Sequence, residues 1–408
     1  MLSALAENPL VSIMINCKNG KPSIRRSIEG VLAQSYPRVE LVFQDGGSTD
    51  GTIDIVLEYM ESHPGRIRLN REPDSCAEEG FFRGLKACRG DIIAVSCSDE
   101  ELLPHAAALA VERFGAHPGI GATYGDVYVT DLEGRITDTW TARPFSLDAF
   151  LRRECDPPFA SSFFRKEAMI EAGLFERKWD WSIGEFELWL RIGMKYPIDY
   201  IPGVLAKYAW HSNSCSYKGF LDDETFVARR KAFFERFFDE PDLPESIRAL
   251  KQQAFAGLHL FIAKVLSSLN EDSKAHAQLV KSLEYIPNGQ QMYELMRRLP
   301  AWNIEMLRKH IASHLADLPP RRIVCYGAGN DFTRLLASGV FSDHTVVAVI
   351  DNFRPEGDLV EDVPVVREHD LAKIEHNLIV VTSSKWAREL RTAATNWSMN
   401  HTRYIPVI

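Results

Sequence analysis

Short apolar runs alternate with apolar residues at helical spacing along the first hundred residues of the chain. Runs that end at polar or glycine residues predict buried strands. They cover residues 11–15, 41–43, 66–70 and 92–97. Between the runs, apolar side chains recur every three or four residues, as at Ile24, Ile28 and Val31, and predict helices. The alternation predicts a mostly parallel sheet with helices on both faces, an α/β fold.

The pattern changes after residue 120. Residues 124–130 and 135–140 flank the polar segment 131–134 and predict a β-hairpin. Residues 222–318 are nearly all helical in their spacing, and Pro319-Pro320 marks a boundary. Strand and helix then alternate again. We predict three domains: an α/β domain over 1–235, a helical segment over 236–318 and a small α/β domain over 319–408.

Polar residues follow the strands of the first domain, at the sheet edge where α/β proteins bind ligands. Asp45 follows one such strand and precedes Gly46 and Gly47, which let a flat ring approach the backbone. Its carboxylate is suited to accept a hydrogen bond from a nucleobase N–H or a ribose hydroxyl. The alternative is that this segment only forms a turn and caps the next helix.

Length, composition and charge exclude several classes of protein. The chain has 408 residues, 45% of them hydrophobic and 25% charged, as in globular proteins with two or three domains. A net charge of −9 argues against a nucleic-acid partner. No apolar run approaches the roughly 20 residues that cross a bilayer, and no signal peptide is evident. Seven scattered cysteines without a CxxC pair disfavour structural zinc and a disulfide framework. We predict a cytoplasmic protein.

Four segments of the first domain resemble glycosyltransferase family 2, in the family's order and spacing over about half the chain. The segments are residues 11–19, 42–52, 72–100 and 184–191, followed by His211. The second segment, with Asp45-Gly46-Gly47-Ser48, is the most specific. The resemblance implies a GT-A (nucleotide-diphospho-sugar transferase) domain. It also implies an inverting, metal-dependent enzyme that moves a sugar from a nucleotide-sugar to an acceptor hydroxyl.

The resemblance implies a donor site at the strand ends, with Asp45 against the nucleoside. The expected donor-binding residues are Cys17, Asn19, Asp45, Gly46, Arg83 and Ser98. Arg83 is the candidate for a phosphate contact. Cys76 and Phe82 replace the glycine and asparagine of the family pattern, which suggests a specialised donor site or weakened activity. A UDP-sugar is the favoured donor, with GDP- and dTDP-sugars as alternatives.

The resemblance also implies a metal site. Asp99 matches the second acid of the family's Asp-x-Asp motif, whereas Cys97 replaces the first. His211 matches a family histidine that meets the metal or the diphosphate; the alternative is a purely structural histidine. A hard cation held by carboxylate oxygens neutralises the charge of a leaving diphosphate. We therefore expect Mg2+ or Mn2+.

An acid before the Leu-Trp-Leu-Arg stretch is the general base of the family, and Glu185 stands at that position. Such a base takes the proton of the acceptor hydroxyl as it attacks the anomeric carbon. Glu187 and Trp189 are expected on the acceptor side. The alternatives are a solvated helix face for the two glutamates and a core position for Trp189.

Phe233, Phe234, Phe237 and Phe238 share one helical face with basic residues around it. Packing within the domain is the favoured interpretation. The alternative is a membrane-surface helix near a lipid-linked acceptor, which would place the protein at the inner face of the membrane.

The C-terminal domain resembles a Rossmann-like module, with Gly327 and Gly329 after a strand and Asp351 after the next. Phe332 occupies the third glycine position, so the fingerprint is incomplete. A nucleotide site at these residues and a domain that docks partners or builds a homo-oligomer remain alternatives.

The predicted setting is the assembly of a surface polysaccharide or other glycan, with a glycan or lipid-linked acceptor. A sugar-nucleotide-binding or scaffolding protein that has lost turnover is the main alternative, supported by Cys97, Cys76 and Phe82. A sugar-phosphate nucleotidyltransferase is disfavoured, because residues 16–20 do not supply a glycine-rich, basic triphosphate loop.

Overall fold

The computed structural model forms two compact units, Met1–Leu258 and His259–Ile408. It describes residues 2–74, 76–175, 185–212, 214, 217–218, 222–269, 271–285, 311–312, 315, 318–326, 330–351, 354–376, 378–381 and 403–405. The predicted division into three domains, with a boundary after residue 235, differs from these two units. The chain just beyond residue 236 packs into the first unit. Gly257 packs directly against the backbone of Arg152, and an added Cβ would lie 2.4 Å from the Arg152 carbonyl oxygen. The rings of Phe234 and Phe255 are also in contact.

Strands and helices alternate through the first unit. Its strands are β1 (Val11–Cys17), β2 (Val39–Asp45), β3 (Ile67–Arg71), β4 (Ile92–Cys97), β5 (Glu101–Leu102), β6 (Ala122–Thr130), β7 (Ile136–Trp140), β8 (Phe163–Arg165) and β9 (Ile198–Ala209). The first helices are α1 (Ile24–Leu32), α2 (Thr52–Ser62), α3 (Ala77–Ala87), α4 (Ala106–Ala116), α5 (Leu147–Leu151), α6 (Lys166–Glu171) and α7 (Phe186–Gly193). The later helices are α8 (Asp223–Phe238), α9 (Glu245–Arg248) and α10 (Lys251–Ser268).

The strands form one nine-stranded mixed sheet. Its order is β3-β2-β1-β4-β8-β6-β9-β5, with β7 paired to β6. Strands β3, β2, β1 and β4 are parallel, as the sequence pattern predicts, and β8 runs antiparallel to β4 and β6. The predicted hairpin is confirmed as the antiparallel pair β6 and β7. The fold is therefore mixed α/β.

Strand β1 lies at the centre of the parallel part and is covered on both faces. Ile13 and Ile15 share a core with Ile28 of α1. Met14 lies on the opposite face, where a Cβ added to Gly84 of α3 would be 2.9 Å from the Met14 sulfur. A strand buried on both faces is apolar along its whole length, which is why the run at residues 11–15 predicts it correctly.

The four phenylalanines of α8 are packed inside the first unit. Phe233, Phe234, Phe237 and Phe238 are each at most 3% exposed. The ring of Phe186 contacts both Phe233 and Phe234. This corrects the membrane-surface alternative, since the face offered for membrane contact is used in internal packing. Among the described residues, no helix combines the length and the apolar character that spanning a bilayer requires.

Truncating one of these rings is expected to destabilise the first unit. Phe237→Ala should lower the free energy of unfolding by about 3–5 kcal/mol, because it removes a wholly buried ring and leaves a cavity. Urea denaturation followed by circular dichroism measures the change. Leu57→Ala is the matched control, because Leu57 is 49% exposed. This substitution should lower the free energy of unfolding by less than about 1 kcal/mol. Equal costs for the two variants would contradict the packing described here.

The second unit contains a smaller sheet. Its described helices include α11 (Asp272–Tyr285) and α12 (Asn330–Ala337). Its strands are β10 (Arg322–Tyr326), β11 (Thr345–Ile350), β12 (Leu359–Val360), β13 (Val363–Val366), β14 (Leu378–Val381) and β15 (Arg403–Ile405). The order is β12-β13-β11-β10-β14-β15, parallel except for the β12–β13 pair. The strand and helix alternation predicted for this region is present.

Candidate active site

The carboxyl ends of β1, β2 and β4 meet at one edge of the large sheet. Strand β1 lies between the other two, and the register pairs Cys17 with Asp45 and Asn16 with Cys97. The polar residues predicted to bind a ligand therefore follow neighbouring strands. Parallel strands bring their carboxyl ends to the same edge, where ligands of α/β sheets bind.

Asp45 is buried at this edge and holds its own loop. Its carboxylate oxygens accept hydrogen bonds from the backbone N–H of Gly47, at 3.2 Å, and of Ser48, at 3.1 Å. The guanidinium of Arg71 lies 3.7 Å from the same carboxylate. The turn foreseen as the alternative is thus present. A contact between Asp45 and a nucleoside stays a proposal.

Asn19 joins the loop after β1 to the loop after β2. Its backbone N–H donates to the Ser48 hydroxyl at 2.9 Å, and its side-chain oxygen accepts from the Thr49 N–H at 2.9 Å. Its φ of 61° lies in the left-handed region, which asparagine tolerates better than most residues. Asn19 thereby fixes the relative position of two loops that carry predicted donor-binding residues.

Asp74 occupies a space that two glycines leave open. A Cβ added to Gly46 would lie 2.2 Å from the Asp74 carboxylate, and one added to Gly80 would lie 2.4 Å from it. The Asp74 side chain is 4% exposed and lies 3.4 Å from the Lys18 ammonium. Gly46 is one of the predicted donor-binding residues, whereas Asp74 is not. Asp74 matches the family pattern in the segment 72–100, directly after Pro73, and that match is the signal that points to it.

Cys17 and Ser98 lie together beneath the loop after β1. Burial raises the pKa of the Cys17 thiol to about 12, against a smaller lowering by its hydrogen bond with Ser98. A Cβ on Gly20 would lie 2.5 Å from the Cys17 sulfur and 2.9 Å from the Ser98 Cβ. Cys17 is therefore a neutral packing residue at the site, not a nucleophile.

Asp99 and His211 are brought together from positions 112 residues apart, with the imidazole Nε2 3.0 Å from a carboxylate oxygen of Asp99. Asp99 follows β4 and His211 follows β9. The antiparallel pairing of β5 with β9, which joins Glu101 to Lys207, draws the two segments together. The structure thus brings both predicted metal ligands to one place.

The donor set suits a hard cation shared with a substrate. In the part of the chain that the structure describes, no group of three or more His, Cys, Asp or Glu residues could hold a metal by itself. Magnesium commonly takes one or two carboxylates from the protein and completes its shell with substrate phosphates and water. One carboxylate, Asp99, with the imidazole of His211, fits that kind of site.

Glu100 lies beside Asp99 as a buried acid that the sequence analysis did not assign. It is 6% exposed, and its carboxylate accepts a hydrogen bond from the Cys97 N–H at 2.7 Å. Burial, and next the neighbouring charge of Asp99, raise the pKa of Glu100 to about 8. The raised pKa favours the protonated form of Glu100.

Glu185 stands immediately before α7 and is half-buried, not on a solvated helix face. Burial raises its pKa above the usual value, and the charges of Arg230 and Arg153 oppose that shift. Its charge also contributes to the raised pKa of Glu100, which means that the two carboxyl groups share one electrostatic environment. A raised pKa moves a carboxylate towards the range suited to a general base.

Glu187 and Trp189, which were expected on the acceptor side, are both packed inside the unit, and an acceptor contact of either residue stays a prediction. Glu187 forms an ion pair with Arg191 at 3.3 Å, and Arg191 binds Glu240 at 2.7 Å. Trp189 is 1% exposed, and its ring centroid lies 4.8 Å from that of Phe164. These residues hold α7 in place behind Glu185.

Arg83 is held by the chain around it. Its guanidinium donates to the Pro73 carbonyl at 2.9 Å and forms an ion pair with Glu72 at 3.4 Å. It also pairs with Glu79. Arg83 was predicted to contact a phosphate of the donor. In the structure its guanidinium is instead paired with the carboxylates of Glu72 and Glu79. The phosphate contact stays a prediction.

In the second unit, Gly327 and Gly329 lie outside the described residues. Asp351, at the end of β11, is 9% exposed. Its carboxylate accepts from the Arg354 N–H at 3.0 Å, so it stabilises the turn that follows. The predicted nucleotide site in this unit stays untested.

Comparisons with known proteins agree with this geometry. Residues 12–171 match the model of glycosyl transferase family 2, and residues 320–405 match the family called C2185-like, N-terminal. A chondroitin synthase of Escherichia coli is 24% identical over 225 residues, which are 53% of this chain and 31% of that protein. An uncharacterised glycosyltransferase of Nostoc sp. is 28% identical over 114 residues, 28% of this chain and 35% of that protein. The chain thus spans about a third of these relatives.

Solved structures to which the chain shows some similarity include residues 1–349 of TarS from S. aureus. That structure has a TM-score of 0.48 and 15% identity, over 75% of this chain and 86% of that one. The mannosyltransferase PcManGT from Pyrobaculum calidifontis was solved with GDP-Man and Mn2+. It has a TM-score of 0.46 and 17% identity, over 72% of this chain and 81% of that one. The family match covers β1 to β4, the loop of Asp45 and Asp99. Residues 12–171 are therefore a glycosyltransferase family 2 domain.

Proposed function

We propose that the first unit is an inverting glycosyltransferase that moves a sugar from a nucleotide-sugar to an acceptor hydroxyl. The observation that carries the proposal is the 3.0 Å contact between Asp99 and His211 at the strand ends of a family 2 domain. A carboxylate and an imidazole placed there suit a divalent cation that also binds a diphosphate. Asp45, at the end of β2 on the other side of β1, would contact the nucleoside.

The donor would be held at two points, its nucleoside and its diphosphate. Asp45 accepts a hydrogen bond from the nucleoside, and the loop that Asn19 fixes supports it. Mg2+ or Mn2+ would be held by Asp99 and His211 together with diphosphate oxygens. Bound there, such a cation acts as a Lewis acid that neutralises the charge of the departing diphosphate. A UDP-sugar is the favoured donor, with GDP- and dTDP-sugars as alternatives.

Glu185 would take the proton of the acceptor hydroxyl. The hydroxyl oxygen then forms a bond to the anomeric carbon while the bond from that carbon to the diphosphate oxygen breaks. The nucleoside diphosphate leaves with the electron pair. A single displacement of this kind inverts the anomeric configuration. The position of Glu185 in the electrostatic environment of Glu100, beside Asp99, supports this role.

The names of several relatives support a role in building surface glycans. They include a chondroitin synthase, an O-antigen biosynthesis protein of Myxococcus xanthus and PGL/p-HBAD biosynthesis glycosyltransferases of mycobacteria. We propose a glycan or lipid-linked acceptor on that basis. One observation favours a second candidate, a nucleotide-sugar-binding protein without turnover: Cys97 stands where the family has the first acid of its metal motif.

Donor binding is expected to depend on Asp45. Calorimetric titration of UDP, GDP and dTDP should identify one nucleotide that binds wild-type protein. Asp45→Asn should weaken that binding about 10- to 100-fold, because a hydrogen bond to a charged group contributes roughly 1.5–3 kcal/mol.

Asp54→Asn is the matched control, since Asp54 is an exposed acid of α2. Thermal unfolding of each variant shows whether the fold is kept. Undiminished nucleotide binding by a folded Asp45→Asn variant would refute the nucleoside role of Asp45, and no binding by wild-type protein would refute the proposed function.

A further inference from the structure

Two arginines converge on the ring of Phe186, the residue directly after Glu185. The guanidinium carbon of Arg230 lies 4.9 Å from the Phe186 ring centroid, and that of Arg153 lies 5.2 Å from it. Arg230 also lies 4.7 Å from the ring of Phe226. Arg153 follows α5, and Arg230 is in α8. Two separate parts of the first unit thus bring like charges to one aromatic ring beside the proposed base.

Arg230 is positioned by aromatic rings instead of by a carboxylate. Within the described parts of the chain it forms no hydrogen bond or ion pair, and its Nε is buried without a partner. Burial, and next the charge of Arg153, lower the pKa of the Arg230 guanidinium to about 9. Stacking on a ring fixes the plane of a guanidinium and leaves the N–H groups of its edge for a ligand.

Arg153 is held in a specific and costly geometry. Its φ of 59° lies in the left-handed region, which is unfavourable for an arginine. Its side chain is 7% exposed and forms an ion pair with Asp156 at 2.9 Å. Backbone conformations of this kind persist where the surrounding structure imposes them, often at ligand sites.

Only one of the two arginines has a carboxylate in direct contact. Arg153 is paired with Asp156, whereas no ion pair between Arg230 and Glu185 occurs among the described contacts. A buried cation without a bound counterion is costly, and an oxyanion that reaches it gains a strong, charge-assisted hydrogen bond. The Arg230 guanidinium is therefore a positive charge that an anion from solution can pair with.

We propose that Arg153 and Arg230 form an anion subsite for the acceptor, which takes a phosphate or carboxylate group next to Glu185. The inference rests on the proposed function and names its acceptor class, an anionic glycan or a phosphate-bearing acceptor. Guanidinium groups bind both kinds of oxyanion through paired N–H donors. An anion held on these arginines would place a neighbouring hydroxyl of the same acceptor near the carboxylate of Glu185.

Calorimetric titration of the full chain with inorganic phosphate tests the subsite. EDTA removes divalent metal and no donor is added, so the measurement does not depend on donor chemistry. Wild-type protein should bind one phosphate, and Arg230→Gln and Arg153→Asn should each weaken it at least tenfold. Asparagine is chosen at residue 153 because it tolerates the left-handed backbone. Arg230→Lys, which keeps the charge but loses the fork, should fall between Arg230→Gln and wild type.

Arg229→Gln is the matched control, since Arg229 is an exposed neighbour in the same helix and its loss removes the same charge. It should bind phosphate as wild type does. Parallel titrations with glucose 6-phosphate and with glucuronate distinguish the two sources of anion, and the tighter ligand names the acceptor class.

Absence of phosphate and glucuronate binding by wild-type protein would overturn the proposal, and so would equal phosphate affinities of wild type and a folded Arg230→Gln variant. The proposed function is tested separately, by nucleotide binding through Asp45. The anion subsite and the proposed function can therefore be refuted independently of each other.

Discussion

Replacement of Glu185 by glutamine is expected to lower kcat about 10²- to 10⁴-fold, the usual contribution of a general base. Glutamine keeps the size of the side chain but cannot accept the proton. The dissociation constant of the donor nucleotide should stay within a few-fold of wild type, because Glu185 is assigned to the acceptor hydroxyl. Single-turnover transfer, with nucleotide binding measured on the same preparation, separates the two effects.

The pH profile gives an independent check on Glu185. A base acts in its deprotonated form, so kcat/KM should fall as pH falls through the pKa of Glu185. Burial raises that pKa above the ordinary value of 4.5, against the opposing charges of Arg230 and Arg153. The acid limb should therefore lie above pH 4.5 in wild-type protein. Glu185→Asp, which keeps a carboxylate, should retain more activity than Glu185→Gln. Full activity of the glutamine variant would exclude Glu185 as the base.

Replacement of Asp99 by alanine is expected to remove the metal dependence of the reaction and to lower kcat/KM about 10²- to 10³-fold, as for other losses of charge stabilisation in a transition state. His211 alone is a weak site for a hard cation. Turnover measured against Mn2+ concentration shows whether stimulation by the metal is lost.

Asp138→Asn is the control for Asp99→Ala, because Asp138 is an exposed acid of β7 in the same unit. It should respond to Mn2+ as wild-type protein does. His211→Gln should weaken the response to the metal less than Asp99→Ala does, since it removes a neutral ligand and leaves the carboxylate. Unchanged stimulation by Mn2+ in Asp99→Ala would place the cation elsewhere.

The parallel part of the sheet was predictable from sequence because its strands are buried on both faces. Such strands read as unbroken apolar runs, and the polar residues after them mark the ligand-binding edge. Asp45 and Asp99 were found in this way, with the family resemblance to give them roles. The match of residues 12–171 to the family model confirms that resemblance.

Other parts of the site depend on contacts that periodicity cannot show. Strand β5 has two residues, Glu101–Leu102, too few for an alternating pattern, yet its pairing with β9 brings His211 to Asp99. Helix α7 is buried nearly all round, so its spacing does not reveal which of its polar side chains form internal ion pairs. The network from Glu187 through Arg191 to Glu240 could not be predicted from sequence, because Glu240 lies 49 residues beyond Arg191.

The buried charges were also hidden from sequence. Nothing in the pattern of residues 153 and 230 indicates that both guanidinium groups reach Phe186, since one follows a short helix and the other lies in a long one. Glu100 was read only as part of a motif, and its raised pKa arises from burial and from Asp99 in the folded chain. Desolvation is a property of the tertiary structure.

Release of nucleoside diphosphate from a panel of UDP-, GDP- and dTDP-sugars, with and without Mn2+, tests the central claim most directly. Wild-type protein and Asp99→Ala are compared side by side. The account predicts that wild-type protein turns over one donor when metal is present, and that Asp99→Ala does not. Failure of wild-type protein to bind or turn over any donor, or equal turnover by Asp99→Ala, would contradict it.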